Sequence, residues 1–349
     1  MKVNRIIASI MAVCVMGFGV PYVNMVAENN SAITASAVNY TEGTYGQLTY
    51  KNYVDYIEIS GCDKKAETVV IPAEIDGVPV MRIGDFAFEK CKGLISVEIP
   101  DSVTSIGAGA FYACHGLTSI EIPDSITSIR TCAFFYCSSL TSIEIPDSVT
   151  IIESTAFSDT PWLEEKRKEN PLIIVNNILI DGETCSGDVI IPDCVTSIVE
   201  HAFYYCSNLT SIEIPENVES IGWWAFFECE KLKEITILNP ECEIYDDKVT
   251  ISDTATIYGY ENSTAQAYAE KYGRKFVSLG KAPEKETCSG DMNGDNSVNI
   301  ADTVLLQSYI LGRQELTEEQ YKNADLTGDG FIDSFDLVLL RQKIIENNK

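Results

Sequence analysis

The sequence predicts a mixed architecture: a solenoid of short parallel β-strands and short helical turns, followed by a small all-α module. A 23-residue period runs through the middle of the chain. Within each period apolar residues first alternate, as in a strand, and then cluster, as in a turn packing back on it. Near the C-terminus two twelve-residue, oxygen-rich segments recur 34 residues apart, each opening an apolar run.

The chain has 349 residues, 45% hydrophobic and 22% charged, which is folded globular material long enough for more than one domain. Fifty-two Asp and Glu against 25 Lys and Arg give a formal charge of −27, so nucleic acid and anionic lipid are excluded as expected ligands. Two histidines, His115 and His201, are too few for a three-histidine zinc site or a histidine relay. No C-x-x-C pair occurs, so no structural zinc is expected.

Lys2 and Arg5 precede an apolar run from Ile6 to Val20, and a polar stretch ends in Ala35-Ser36-Ala37. Residues 1–37 thus read as a secretory signal peptide. The run falls short of the roughly 20 residues a membrane span needs, so an exported protein without a membrane span is expected, secreted or cell-surface associated. A lipoprotein anchor at Cys14 is disfavoured by bulky Val13 before it.

The period is carried by Leu94, Leu117 and Leu140, by Pro100, Pro123 and Pro146, and by Phe111, Phe134 and Phe157. After an interruption Pro192 and Phe203 return two periods on, before Pro215 and Phe226. In one unit Leu117, Ile120 and Ile122 point inward, Ser119 and Glu121 outward, and Pro123 ends the strand. Ile129, Ala133, Phe134 and Cys137 then suit a short helical turn, giving one strand per unit. No unit can bury this set alone, so neighbours must stack. The L-x-x-I-x-I-P and A-F-x-x-C blocks, over roughly 60–240, resemble the leucine-rich repeats of BspA-like bacterial surface proteins, without the Asn of the commoner repeat.

The leucine-rich-repeat domain is expected over 38–280. Residues 40–60 read as a capping strand pair, and 158–190 as an insertion of a charged helix (PWLEEKRKEN) and a hairpin. A strand and a helix beginning near Ser263 close the stack, and 281–287 is a polar linker.

Equivalent residues of stacked turns form ladders. Glu98, Glu121, Glu144 and Glu213 read as a solvated acidic face, whose ligand, if any, is cationic, cation-bridged or neutral and polyhydroxylated. Tyr112, Phe135, Tyr204 and Phe227 read as packing. Trp223 and Trp224 stand where other units are polar or small, and form the candidate ligand surface for a polysaccharide or a surface protein. Cys91, Cys114, Cys137, Cys206 and Cys229, three residues after the Phe, read as buried small hydrophobes rather than a disulfide framework or metal ladder. His115 and His201 fall at exposed, variable positions without a nucleophile partner. No catalytic constellation emerges, so the protein is expected not to be an enzyme.

From Asp291 the chain reads DMNGDNSVNIAD, and from Asp325 it reads DLTGDGFIDSFD. Oxygen ligands at positions 1, 3, 5, 9 and 12, with a backbone carbonyl at position 7, suit a calcium ion. Position 6 must turn sharply and holds Asn296 or Gly330. The apolar pairs Val304/Val338, Leu305/Leu339, Leu306/Leu340 and Ile310/Ile344 keep the offset of 34. One helix per loop, and Asp302 or Asp336 where an EF-hand has Glu, make 288–347 resemble a type I dockerin, a module that binds cohesins on a cellulosome scaffold.

The resemblance implies a dockerin over 288–349 and two Ca2+ ions. The first would be held by Asp291, Asn293, Asp295, Ser297 through its carbonyl, Asn299 and Asp302. The second would be held by Asp325, Thr327, Asp329, Phe331 through its carbonyl, Asp333 and Asp336, with Thr327 in place of the expected Asn. It also implies a cohesin module of a scaffoldin as partner, chosen at positions 10 and 11: Ile300 and Ala301, then Ser334 and Phe335. Because these pairs differ, one docking orientation is expected rather than two. The whole then reads as a secreted, non-catalytic binding protein tethered to a polysaccharide-degrading complex. The alternatives are a glycoside-active enzyme with a hidden site, and an adhesin for host or neighbour proteins.

Overall fold

Each 23-residue step forms one turn of a solenoid and contributes two short strands, not one. The computed structural model describes residues 40–283, 289–295 and 297–347, so the signal-peptide expectation lies outside the described residues. In one row, Ser119–Glu121 pairs in parallel with Ser142–Glu144, and Thr68–Val70 with Ser96–Glu98. In a second row Val78–Ile83, Ser105–Ile106, Ser128–Ile129 and Ile151–Ile152 pair in parallel succession. These Ser-Ile strands are two residues long, too short for alternation to reveal them in the sequence. Three cap strands extend the second row: β1 (Thr41–Tyr45), β2 (Leu48–Asn52) and β3 (Ile57–Cys62), antiparallel among themselves, with β3 parallel to Val78–Ile83.

The return segments are hydrogen-bonded turns rather than helical ones. Two positions per turn, four residues apart, hold left-handed backbone: Cys132 and Tyr136, Thr155 and Asp159, His201 and Tyr205, and Trp224 and Glu228 have φ between +54° and +62°. Left-handed residues at that spacing interrupt any helix. Bonds to the next turn hold them, as in Phe111 N–H to Ala133 O at 2.8 Å and Phe203 N–H to Ala225 O at 2.8 Å.

Inside, the Phe ring of each turn stacks on the next, with centroids 4.9, 5.2 and 5.7 Å apart along Phe88, Phe111, Phe134 and Phe157. The cysteines beside them are buried, as expected, and have a polar role too. Cys114 and Cys137 donate to the carbonyls of Phe88 and Phe111 at 3.0 Å, and Cys229 to that of Phe203 at 3.1 Å. A hydrophobe small enough to fit yet able to donate satisfies this position.

The segment expected as an insertion supplies turns of the stack instead. Helix α1 (Pro161–Glu169) starts with Thr160 capping Leu163 N–H at 3.2 Å, and buries Trp162 against Phe157. The hairpin Ile173–Val175 and Ile178–Asp181 turns on Asn176 and Asn177, both left-handed. Its second strand pairs with Ser197–Ile198, while Ser186–Ile190 pairs with Asn208–Ile214, so both rows restart here. Two apolar cores result, meeting between Ile178 and Leu179. The C-terminal cap follows expectation: Thr256–Gly259 pairs with Phe276–Ser278, and helix α2 (Thr264–Tyr272) is capped by Ser263 and ended by left-handed Gly273.

The chain divides into two compact units at Ala282 and Pro283. The second contains α3 (Ile300–Ile310), α4 (Glu318–Ala324) and α5 (Ser334–Asn347) around Met292, Leu306, Ala324 and Leu340. Helix α4, capped by Thr317 with Gln320, enters the second loop, so that loop has two helices where one was expected. Among the described residues no helix is long and apolar enough to cross a membrane.

Candidate metal loops and ligand surface

Both acidic loops close on their twelfth residue. Asp302 Oδ1 accepts from Met292 and Asn293 N–H at 2.8 and 3.1 Å, and Oδ2 from Asn299 N–H at 2.8 Å, which also boxes the start of α3. Asp336 repeats this, with Oδ1 on Thr327 N–H at 3.0 Å and Oδ2 on Asp333 N–H at 2.9 Å. One carboxylate thus joins the beginning of each loop to its end. At position 1, Asp291 Oδ1 accepts from Gly294 N–H at 2.8 Å and Asp325 Oδ1 from Gly328 N–H at 2.7 Å. Asp295 and Asp329 Oδ1 accept from Ser297 and Phe331 N–H at 2.8 and 2.9 Å. Asn299 and Asp333 cap Ala301 and Phe335 N–H at 2.8 and 2.7 Å.

Gly330, at position 6, has φ of +81°. Asn296, its counterpart, lies outside the described residues. Asn323 of α4 donates to Asp291 O at 2.7 Å, and Tyr321 OH to Gly330 O at 3.2 Å, braces that no motif in the sequence announces.

Asp302 and Asp336 are fully buried, held by neutral N–H donors. Neutral donors offset only part of the cost of burying a carboxylate, so the loops are suited to a cation. The donors are all oxygen, the choice of a hard ion such as calcium rather than a softer metal. Among the described residues no group of three acidic, histidine or cysteine side chains is gathered for a metal, the carboxylates bonding to backbone N–H. Asn293 bonds Asp295 at 2.8 Å, and that bond holds the Asp295 carboxyl below its usual range. Thr327 Oγ1 lies 3.2 Å from Asp325 and 3.1 Å from Asp336, taking the place of the expected Asn.

At the first turn of α3, Ile300 is 73% exposed, and at that of α5, Phe335 is 70% exposed. Ala301 and Ser334 are exposed beside them. Val304 and Val338, one turn on, are exposed as well, while Leu306 and Leu340 fill the core. Each helix therefore shows an apolar strip next to its loop, and the two strips differ in shape.

In the repeat unit Trp223 and Trp224 are half-buried, with ring centroids 4.4 Å apart. Trp224 stacks on Phe227 at 4.5 Å, which stacks on Tyr204 at 5.5 Å. Trp223 Nε1 donates to Asp247 at 3.4 Å, while the buried Trp224 Nε1 has no partner. Exposed Tyr205 and Tyr245 flank the pair. Contrary to expectation both histidines have hydroxyl partners: His115 Nδ1 lies 3.2 Å from Ser138 Oγ, and His201 Nδ1 2.7 Å from Ser154 Oγ. Ser154 is buried beneath the Trp pair's neighbour His201, so the contact is a packing bond and not an accessible nucleophile.

The BspA type leucine rich repeat region matches in six copies over residues 62–180 and 182–256, more than half of the chain, and the dockerin type I domain matches residues 289–345. No curated protein matches the chain. Among solved structures, a leucine-rich repeat protein of T. pallidum is 26% identical, covering 68% of this chain and 98% of its own, with a TM-score of 0.37. A leucine-rich repeat protein from Bacteroides ovatus is 20% identical over 64% of this chain and 80% of its own, at a TM-score of 0.33. A leucine-rich cell surface protein from Faecalibacterium prausnitzii is 20% identical over 70% and 96%, at 0.25. Neither matched family is an enzyme family, and type I dockerin domains bind calcium and pair with cohesins. The chain belongs to the BspA-type leucine-rich repeat family and ends in a type I dockerin domain.

Proposed function

We propose that this is an extracellular, non-catalytic binding protein, attached to a cellulosome scaffold by a calcium-dependent dockerin–cohesin contact and presenting its repeats to a polysaccharide or a surface protein. The observation that carries the attachment is the pair of loops closed by buried Asp302 and Asp336, each followed by an exposed apolar helix start. Two calcium ions would be held by the residues at loop positions 1, 3, 5, 7, 9 and 12, and bound calcium supplies the positive charge that seven crowded carboxylates require. Ile300 and Ala301 on one helix, and Ser334 and Phe335 on the other, would meet the cohesin. The mismatch of a branched aliphatic with an aromatic side chain supports one docking orientation.

Trp223 and Trp224 with exposed Tyr205 and Tyr245 support a recognition surface on the repeats, since aromatic faces stack well on sugar rings or apolar protein groups. The test is capture of the full chain on a panel of immobilised cohesins in calcium and in EDTA, beside a glycan array. Capture in calcium alone is expected, and an unbound chain across the panel would refute the tether. Loss of the array or lysate ligand in the Trp223→Ala, Trp224→Ala double variant is expected for the repeats.

A further inference from the structure

The thiol row of the repeats runs one step further, into the cap. Cys62, at the end of β3, lies within hydrogen-bonding reach of Cys91, as Cys114 does of Cys137. Backbone bonds pin neighbouring turns beside these residues, from Lys90 N–H to Tyr112 O at 2.7 Å and from Ala113 N–H to Phe135 O at 2.9 Å. Segments joined this way run about 5 Å apart, inside the Cα separation of about 4.4–6.8 Å that a disulfide needs. All four thiols are free.

They differ in access. Cys91, Cys114 and Cys137 are fully buried, whereas Cys62 is 9% exposed and lines a surface cavity of about 400 Å³ with Gly61, Asp63 and Lys64. The Lys64 ammonium donates to Glu89 O and reaches Cys91. The hydrogen bond from Cys62, aided by Lys64 and opposed by burial, lowers the Cys91 thiol to about 7. The same bond, with burial, raises Cys62. Near neutral pH the pair thus shares a single proton in a large fraction of molecules, with a base at Cys91 behind the sulfur that faces the cavity.

We propose that Cys62 and Cys91 are a thiol–disulfide exchange site, whose substrate is a small water-soluble disulfide entering by this cavity and whose product is a disulfide joining the N-terminal cap to the first repeat turn. Cys62 Sγ attacks one sulfur of the small disulfide while its proton passes to Cys91. The R–S–S–R bond breaks and one half leaves as R–S−. Cys91 then attacks the mixed disulfide on Cys62, and the second half leaves with the Cys91 proton as R–SH. The protein loses two electrons, which the small disulfide gains.

The test is incubation of the folded full chain with oxidised glutathione or the smaller hydroxyethyl disulfide, followed by peptide mapping. A cross-link between Cys62 and Cys91 is expected, at least about tenfold faster than any change at Cys114 or Cys137. Exposed Cys194 controls for reagent activity and is expected to stop at the mixed disulfide. Cys91→Ser is expected to leave Cys62 as a stable adduct, and Cys62→Ser to leave Cys91 unmodified. The proposal is overturned if Cys194 is modified while Cys62 and Cys91 stay free in the wild-type chain, or if their cross-link forms only in denaturant.

Discussion

His201 shows what a single side chain contributes to the stack. Its ring lies edge-on to Tyr204, Trp223 and Trp224, at 5.2, 5.3 and 5.9 Å, and bonds Ser154 from the other apolar core. Burial lowers it to about 4. An unfolded histidine titrates near 6.5, so between these values the unfolded chain binds a proton that the folded chain refuses. Stability from this group is whole above about 6.5 and falls by up to about 3 kcal/mol as pH drops toward 4. Glu200 beside it, raised by burial and by Glu153, acts in the opposite sense on acidification. His201→Gln is therefore expected to flatten the loss of the urea midpoint between pH 7 and pH 5, and an unchanged slope would show that His201 is solvated. Phe111, sandwiched between Phe88 and Phe134, belongs to the same scale. Phe111→Ala is expected to cost about 3–5 kcal/mol in denaturant unfolding.

At the scale of elements, the join between the two apolar cores depends on α1. Arg167 Nε and Nη2 grip both oxygens of Asp181 at 2.9 and 2.5 Å, Nη2 also meets Glu183 at 2.6 Å, and Nη1 meets Glu164 at 2.7 Å. Asp181 is buried in the hairpin, so losing the guanidinium strands its charge. Arg167→Ala is expected to cost about 3–5 kcal/mol, read as lost hydrogen-exchange protection centred on 161–181. The charged run announced the helix in the sequence. Its grip on residues 14 and 16 positions away, and the restart of both strand rows, were invisible there because they depend on contacts between turns. In the second unit, Asp336→Ala is expected to reduce the calorimetric calcium stoichiometry from two to one, leaving the Asp302 loop competent. A stoichiometry of one in the unaltered chain would refute the second site.

For the molecule as a whole, each unit encloses a core of its own, and only the second relies on clustered carboxylates. Removing calcium with EDTA is expected to abolish the helicity of 300–347 and cohesin capture together, while the β-sheet signal of the repeats persists. Calorimetry should show two transitions, of which only one moves with calcium. Helicity that survives EDTA would mean that the small core of Met292, Leu306, Ala324 and Leu340 folds without the ion. With a formal charge of −27 the chain repels polyanions at either unit, and raised salt is expected to strengthen the calcium-free form by screening.

The sequence alone determined what repeats: the 23-residue stack, its inward Leu, Ile, Phe and Cys, and two loops whose ligand spacing names the ion. Such features are local or periodic, so neighbouring residues suffice to specify them. The tertiary structure alone decided the rest: the two-residue strands, the left-handed turns, the bracing of Asp291 by Asn323, the burial of His201 and the meeting of Cys62 with Cys91. Each is a contact between residues on different turns or helices, and its energy exists only after the chain has brought them together.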